Sequence, residues 1–262
     1  MNLLEGDKLG YRIDGIDILD GIDLRLNAGE MVGLIGPNGA GKSSLVRLLA
    51  GVEAPTRGKI RFAGEPLDSW PARERARRIG YLAQDAAAHW PLSVEQIVEL
   101  GRLPYQKWWL QLTAEDRERV EHALRLTETL AYRNRVVTTL SGGEQTLVML
   151  ARIFAAEPEL IFADEPVAAL DPYHQLHVME VIRGHAAGNR AAIVVLHDLG
   201  LAARFCDRLY LLRHGRVHCS GTVAEVLTRE HIAEVYGVDS RIVDDEQGIS
   251  FTSLSRLSDQ HP

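Results

Sequence analysis

Two cysteines, Cys206 and Cys219, are all that the 262 residues contain. Two thiols cannot build a disulfide framework, so a reducing compartment is the expectation. Long apolar runs are missing as well. The longest stretch without Asp, Glu, Lys or Arg is residues 31–41, far short of the roughly 18 residues that a membrane span takes. Dealings with a membrane are therefore expected to pass through another chain. Positive charge is in deficit. Lys and Arg number 29 against 36 Asp and Glu, a formal charge of −7, which argues against non-specific nucleic-acid binding. The opening Met1-Asn2-Leu3-Leu4-Glu5-Gly6-Asp7 has no basic segment followed by an apolar one, so no secretory signal is expected. No repeat of solenoid period and no low-complexity tract is visible.

What is present is ordinary globular material. The apolar fraction is 46%, enough to exclude wholesale disorder and to fill a core. Ile22, Leu24 and Leu26 alternate with Asp23, Arg25 and Asn27, which predicts a half-buried strand after an Asp20-Gly21 turn. Residues 31–35 form a short apolar run of the buried-strand kind. A helix is expected from about 42 to 50, closed by Gly51, and strands near 59–62 and 79–83. Between about 94 and 130 the apolar residues fall at helical spacing, with a Ser93/Gln96 capping box and Thr113 as an N-cap. After Leu140 the α/β rhythm returns. Helices are expected at 142–156, after Pro172 and up to Cys206, with strands at 160–163 and 191–196. A hairpin is expected at 208–219, turning at His214-Gly215, and Thr222/Glu225 cap a last helix. From about Asp244 the chain is polar and reads as a loose tail. The alternation predicts an α/β fold with a mostly parallel sheet flanked by helices.

Three segments carry chemistry. Gly36-Pro37-Asn38-Gly39-Ala40-Gly41-Lys42-Ser43 fits G-x-x-x-x-G-K-[ST] between a predicted strand and a predicted helix. Glycines let consecutive N–H groups turn inward around phosphate oxygens, and the helix N-terminus adds partial positive charge. Lys42 suits the β- and γ-phosphates and Ser43 suits Mg2+. Leu160-Ile161-Phe162-Ala163-Asp164-Glu165 is an apolar strand ending in two acids. Such a strand delivers its terminal carboxylates to the ligand edge of a parallel sheet, Asp164 to the Mg2+ shell and Glu165 to a water. Leu140-Ser141-Gly142-Gly143-Glu144-Gln145 opens a helix. Ser141 and Glu144 read as a capping box, but two glycines in a first turn are poor helix formers and leave N–H groups uncovered.

In this order, the three segments resemble the ATP-binding-cassette ATPases, whose signature is Leu-Ser-Gly-Gly-Glu-Gln. The resemblance covers nearly the whole chain. It implies a phosphate-loop core at 1–84 and 141–240 with an antiparallel β part, a helical subdomain at 85–140 and a C-terminal tail at 241–262. It further implies ATP and Mg2+ as ligands. Gln84 looks like the glutamine that touches Mg2+ and senses the membrane subunit. Ala169-Leu170-Asp171 resembles the D-loop, and His197 the switch histidine at the γ-phosphate. Tyr11 resembles the adenine-stacking aromatic, with no other aromatic residue before Phe62. Ser44 joins the nucleotide contacts by the same resemblance. Thr146, Ala163 and Val167-Ala168 depart from the family pattern, where a basic residue, a bulkier aliphatic and small hydroxyl residues are usual.

With no membrane span and a single phosphate loop, the resemblance points to the separate ATPase of an importer. It implies a homodimer closed over ATP, permease subunits as partners, an indirect tie to a substrate-binding protein, and no nucleic acid. The expected place is the cytoplasmic face of the cell membrane, peripherally held. Trp90-Pro91-Leu92-Ser93-Val94, Leu100-Gly101-Arg102-Leu103-Pro104-Tyr105, Leu170-Asp171-Pro172-Tyr173-His174-Gln175 and Val235-Tyr236-Gly237-Val238 resemble the branch serving iron-siderophore, haem and cobalamin permeases. A non-transport cassette protein and a phosphate-loop kinase are the rival classes. Trp90, Trp108, Trp109 and Tyr105 suit either a permease interface or the insertion's own core. Arg73, Arg75, Arg77 and Arg78 read as a solvated helix face. His214, His218 and Cys219 lack recognised ligand spacing and read as surface.

Lys42→Ala is expected to abolish ATP hydrolysis while the fold survives. Phosphate release measured beside circular dichroism checks this, and normal turnover by a folded variant would remove the phosphate-loop assignment.

Overall fold

The structure, a computed structural model, describes residues 2–84, 91–106, 111–168, 170–245 and 248–257. Trp90, Trp108, Trp109 and Ala169 lie outside these described residues. In chain order the strands are β1 (Asn2–Ile13), β2 (Ile16–Asn27), β3 (Met31–Ile35), β4 (Arg57–Phe62), β5 (Glu65–Pro66), β6 (Ile79–Leu82), β7 (Leu160–Asp164), β8 (Ala191–Val195), β9 (Arg208–Arg213), β10 (Arg216–Thr222), β11 (Val238–Asp245) and β12 (Gly248–Arg256). The α-helices are α1 (Lys42–Leu49), α2 (Ala72–Arg78), α3 (Val94–Glu99), α4 (Ala114–Leu126), α5 (Gly142–Ala155), α6 (Pro172–His185), α7 (Leu199–Phe205), α8 (Val223–Val226) and α9 (Arg229–Tyr236). The chain divides into two compact units, Met1–Ser69 with Ala186–Pro262, and Trp70–His185. The expected insertion at 85–140 falls inside the second.

In the first unit β2, β1, β4 and β5 form an antiparallel sheet. Leu4, Ile22, Leu24, Leu26 and Phe62 are buried along it, with polar residues alternating outward. The hairpin between β1 and β2 turns at Asp14-Gly15, both at positive φ (47° and 82°), the Asp-Gly pairing that a two-residue hairpin favours. Asp20-Gly21 is therefore not the turn. Gly21 sits inside β2 with φ of 66°, and the strand runs through it. A second group of strands, β10, β9, β3 and β8, has β3 parallel to both β8 and β9. All residues of β3 and β8 are buried, as expected of strands covered on both faces. The β9–β10 hairpin turns at His214-Gly215 as its sequence predicts.

The C-terminal segment is not a loose tail. β11 and β12 pair antiparallel, with β12 against α7 and β11 against α9. Its apolar residues include the exposed Val243 and Leu254, so the strand pattern is faint; ladder bonds and docking on two helices hold it instead.

The second unit is built on α5, whose neighbours within the unit are α3, α4, α6 and β6. A Cβ on Gly80 would meet Ile153 Cγ2 at 2.4 Å, so glycine there lets α5 approach β6. The same logic explains Gly101, where a Cβ would lie 2.0 Å from the Arg152 carbonyl oxygen. Its neighbour Arg102 is buried with Asp116, Nε to Oδ1 2.8 Å, and also donates to the Ala155 carbonyl at 2.8 Å. Tyr105 stacks under that guanidinium at 3.9 Å and donates its hydroxyl to the Ala156 carbonyl. Tyr105 thus belongs to the packing of this unit. The arginines of α2 are also engaged. Arg73 and Arg77 donate to the Pro104 carbonyl, and Arg78 forms a two-pronged bond with Glu159. Arg77 and Arg78 are thus part-buried and bonded, while Arg73 stays exposed as a solvated face would have it.

Burial opposes ionisation of Asp116, but Arg102 and the Thr113 hydroxyl and backbone N–H outweigh it and hold the carboxyl below its usual range. A carboxylate depressed in the folded state contributes stability above its unfolded pKa and loses it as pH falls through the folded value. Asp116→Ala removes the nearer carboxylate from a buried guanidinium, leaving the Ala155 carbonyl and Glu157 at 4.0 Å, and should cost about 3 kcal/mol. Urea unfolding at neutral pH checks this, and a loss below about 1 kcal/mol would make the pair incidental.

Candidate nucleotide site

β3 ends at Ile35 and the backbone turns sharply at Gly36, φ 146°. A Cβ at residue 36 would lie 2.3 Å from the Leu212 carbonyl oxygen of β9, so only glycine fits. Asn38 and Gly39 stand exposed at the loop tip. Gly39 has φ of 78° and open space around it. Ala40 returns to the interior, donating its N–H to Pro37 O and accepting from Gly215 N. Gly41 has φ of 93°, and a Cβ there would strike Leu19 Cδ2 at 2.6 Å. It occupies the N-cap of α1 and supplies no side-chain cap, and no acid stands in the first turn. The dipole of α1 makes this N-terminus a favourable place for an anion. Lys42 is buried, its Nζ donating to Gly36 O at 2.8 Å and Pro37 O at 3.0 Å. Those two carbonyls hold the ammonium against the loop backbone, within the turn that a phosphate would enter. Ser43 follows directly, and Ser44 accepts from Arg47 Nη2 at 3.4 Å.

Tyr11 lies on β1 opposite Leu19 of β2 and is half-buried. The nearby Glu53 carboxylate, foremost as an acceptor for its hydroxyl, and burial push the phenol up. Glu53 in turn pairs with Arg47 at 2.9 Å. His197 leaves the end of β8 and is exposed, beside Asp198, which caps α7 through Leu201 N at 2.9 Å. His197 and Asp198 line an open cleft of about 460 Å³ with Tyr236, Phe251 and Ser253. The hairpin β11–β12 supplies part of that wall, a contribution the polar C-terminal sequence did not announce.

The second unit gathers the other predicted residues. β6 and β7 run parallel with Leu82 opposite Ala163, so both strands end at one edge. Gln84 Nε2 donates to Glu165 Oε2 at 2.7 Å. Asp164 is buried at the end of β7. Glu165 has φ of 50°, a left-handed conformation uncommon outside glycine, of the kind that clusters at functional sites. Ala163 is fully buried in β7. Within this unit the two carboxylates and the Gln84 amide oxygen are hard oxygen donors, the chemistry that Mg2+ takes.

Ser141 caps α5 in a reciprocal box. Glu144 Oε2 accepts from Ser141 N at 2.8 Å and from Ser141 Oγ at 2.9 Å. These bonds, the backbone one foremost, and a further one from Tyr132 hold the Glu144 carboxyl below its usual range. The glycine pair divides into two cases. A Cβ on Gly143 would meet the His174 ring at 2.6 Å, whereas one on Gly142 would meet nothing within 4 Å. His174 is fixed by Asp171, Nδ1 to Oδ2 2.7 Å, while Asp171 Oδ1 accepts from His174 N at 3.1 Å. Signature and D-loop therefore share one histidine, which sequence reasoning had noted only as part of a branch motif. Thr146, the departure from a basic residue, turns its hydroxyl back to Gly142 O at 3.1 Å. Val167 is buried and its carbonyl accepts from Gln175.

Known proteins match this arrangement. The family profile for the ABC transporter matches residues 19–168. The hemin import ATP-binding protein HmuV of Pseudomonas entomophila is 40% identical over 242 residues, 90% of this chain and 93% of that one. An inward-facing ABC transporter described as of metal-chelate type superposes with a TM-score of 0.84 over 98% of this chain and 99% of that one. Its identity of 24% makes that a likeness of fold. A dimeric bacterial ABC transporter cassette gives a TM-score of 0.74 at 26% identity, covering 84% of this chain and 99% of that one. The chain belongs to the ABC transporter family, as one of its ATPases.

Proposed function

We propose that this ATPase powers uptake of an iron-bearing metal chelate, hemin or an iron-siderophore, through a membrane permease. The cargo rests on the 40% identity to a hemin import protein over nine-tenths of the chain. The chemistry rests on one observation above the rest, the Gln84–Glu165 bond at the shared end of β6 and β7. It ties the water-polarising carboxylate to the residue expected to sense the permease.

Lys42 and the loop N–H groups hold the β- and γ-phosphates and draw charge off the leaving group. Mg2+, when bound, would neutralise phosphate charge, with Ser43, Gln84 and Asp164 as its holders. Glu165 accepts the proton of the attacking water, and the bond from Gln84 orients its carboxylate. His197 contacts the γ-phosphate and Tyr11 stacks on adenine. Ser141, Gly142, Gly143 and Glu144 serve the ATP of a second copy, so two chains close head to tail over two nucleotides, with Asp171 beside the seam. No described helix is long and apolar enough to cross a membrane. The chain is held peripherally at the cytoplasmic face through its permease, and it meets a substrate-binding protein only indirectly.

Glu165→Gln keeps an oxygen that can accept from Gln84 but loses the proton acceptor. Hydrolysis should fall by about 10²- to 10⁴-fold while ATP binding persists. The variant should shift to an ATP-dependent dimer in size-exclusion chromatography, and adding Ser141→Arg should abolish the shift. Wild-type turnover would remove Glu165 as the base, and a dimer indifferent to ATP and Ser141→Arg would remove the nucleotide as the link.

Tyr11→Ala should weaken ATP binding by about 1–3 kcal/mol, the range for base–aromatic stacking. Tyr11→Phe, which keeps the ring and drops only the hydroxyl, should bind as wild type. Calorimetry distinguishes these. For the cargo, ATP turnover in complex with its membrane permease should rise with hemin-loaded binding protein; a response to cobalamin alone would reassign it.

A further inference from the structure

Far along the chain from the phosphate loop, three metal-binding side chains converge in the first unit. His218, Cys219 and His231 each place a ligand atom within 4.8 Å of the others. His218 and Cys219 are neighbours on β10, and consecutive residues of a regular strand point to opposite faces. Here the strand is irregular. Val217 pairs with Leu212 but Cys219 with Leu211, so His218 is the extra residue of a bulge, a device that re-aims a side chain. Both residues consequently meet α9. Cys219 Sγ lies 3.5 Å from His231 Nδ1, and the His218 and His231 rings meet edge to face with centroids 5.4 Å apart.

We propose that His218, Cys219 and His231 form a binding site for a zinc-class divalent cation, with water in the fourth position. Thiolate and imidazole are the donors that select Zn2+ over Mg2+. A tetrahedron with Zn–S near 2.3 Å and Zn–N near 2.0–2.1 Å has an S···N edge of about 3.6 Å, close to the separation of Cys219 and His231. His231 Nδ1 also lies 3.1 Å from Val226 O, a bond that needs the proton on Nδ1, so metal ligation there gives up that bond and leaves the proton on Nε2. Glu234, one turn along α9, sets a carboxylate oxygen 3.7 Å from His218 Nε2 and adds negative charge beside the site. Arg213, 3.6 Å from its other oxygen, balances that charge in part. Binding forms the metal–sulfur bond and releases the thiol proton to solvent. The hairpin β9–β10 would thereby be fastened to α9. A hairpin of apparent surface residues becomes a site only because His231 arrives from a helix 12 positions further on.

Cobalt(II) titrated into nucleotide-free full-length protein tests this. One cobalt per chain should bind with a thiolate-to-cobalt charge-transfer band, unaffected by excess Mg2+ and bleached by Zn2+. Cys219→Ser should abolish the band. His231→Asn should weaken cobalt binding at least about tenfold, and Glu234→Gln about 10- to 100-fold as an outer-shell loss. Cys206→Ala, which removes the buried second thiol, should leave the band unchanged. Zn2+ should raise the unfolding midpoint of the wild type and not of Cys219→Ser, with circular dichroism establishing that each variant is folded. Absence of the band in wild-type protein, or its survival in folded Cys219→Ser, would overturn the site.

Discussion

The approach of the Leu212 carbonyl to residue 36 governs the nucleotide loop. At 2.3 Å from where a Cβ would stand, that oxygen allows only glycine, and it belongs to the strand that pairs in parallel with β3. The backbone can therefore leave the sheet at once, turn at positive φ, and bring Gly36 O and Pro37 O round the Lys42 ammonium. Leu19 imposes the same demand on Gly41 from the antiparallel sheet. Two sheets thus fix the loop from opposite ends, and the helix that follows has an uncapped N-terminus. Such preorganisation places dipoles before the ligand arrives, which is where electrostatic catalysis gains most.

In the other unit the equivalent constraint is strand pairing. The register that sets Leu82 against Ala163 makes Gln84 and Glu165 neighbours, although 81 positions separate them. The buried β7 holds a left-handed glutamate in place, a conformation costing on the order of 1–3 kcal/mol that persists only where surroundings over-determine it. The signature is fixed by different means. His174 fills the space beside Gly143 and is itself clamped by Asp171, so a change at the D-loop bears on the first turn of α5 through one ring.

The departures from the family pattern are absorbed locally. Thr146 satisfies its hydroxyl within its own helix, a common use of threonine in helices. Val167 is packed away from solvent. None of these side chains takes a place that Lys42, Asp164 or Glu165 needs.

Several elements were legible in sequence because their causes are local. The phosphate loop, the capping boxes at Ser93, Thr113, Ser141 and Thr222, and the buried strands at 31–35 and 160–164 follow from glycine freedom, side-chain caps and apolar runs. Other features depend on contacts between distant residues. Asp20-Gly21 carries a turn composition yet lies within a strand, because Asp14-Gly15 closes the hairpin first. The segment after Asp244 lacks a strong strand pattern, and its pairing is decided by the surfaces of α7 and α9. Nothing local in the sequence marks Arg102 for burial; Asp116 and the Ala155 carbonyl, from other elements, bury it. The segments expected to hold nucleotide were read from the sequence alone. Which glycine is sterically required, which histidine links signature to D-loop, and how His218 and Cys219 come to face His231 were decided only by tertiary structure, because sequence spacing carries no information about which side chain packs in from another element.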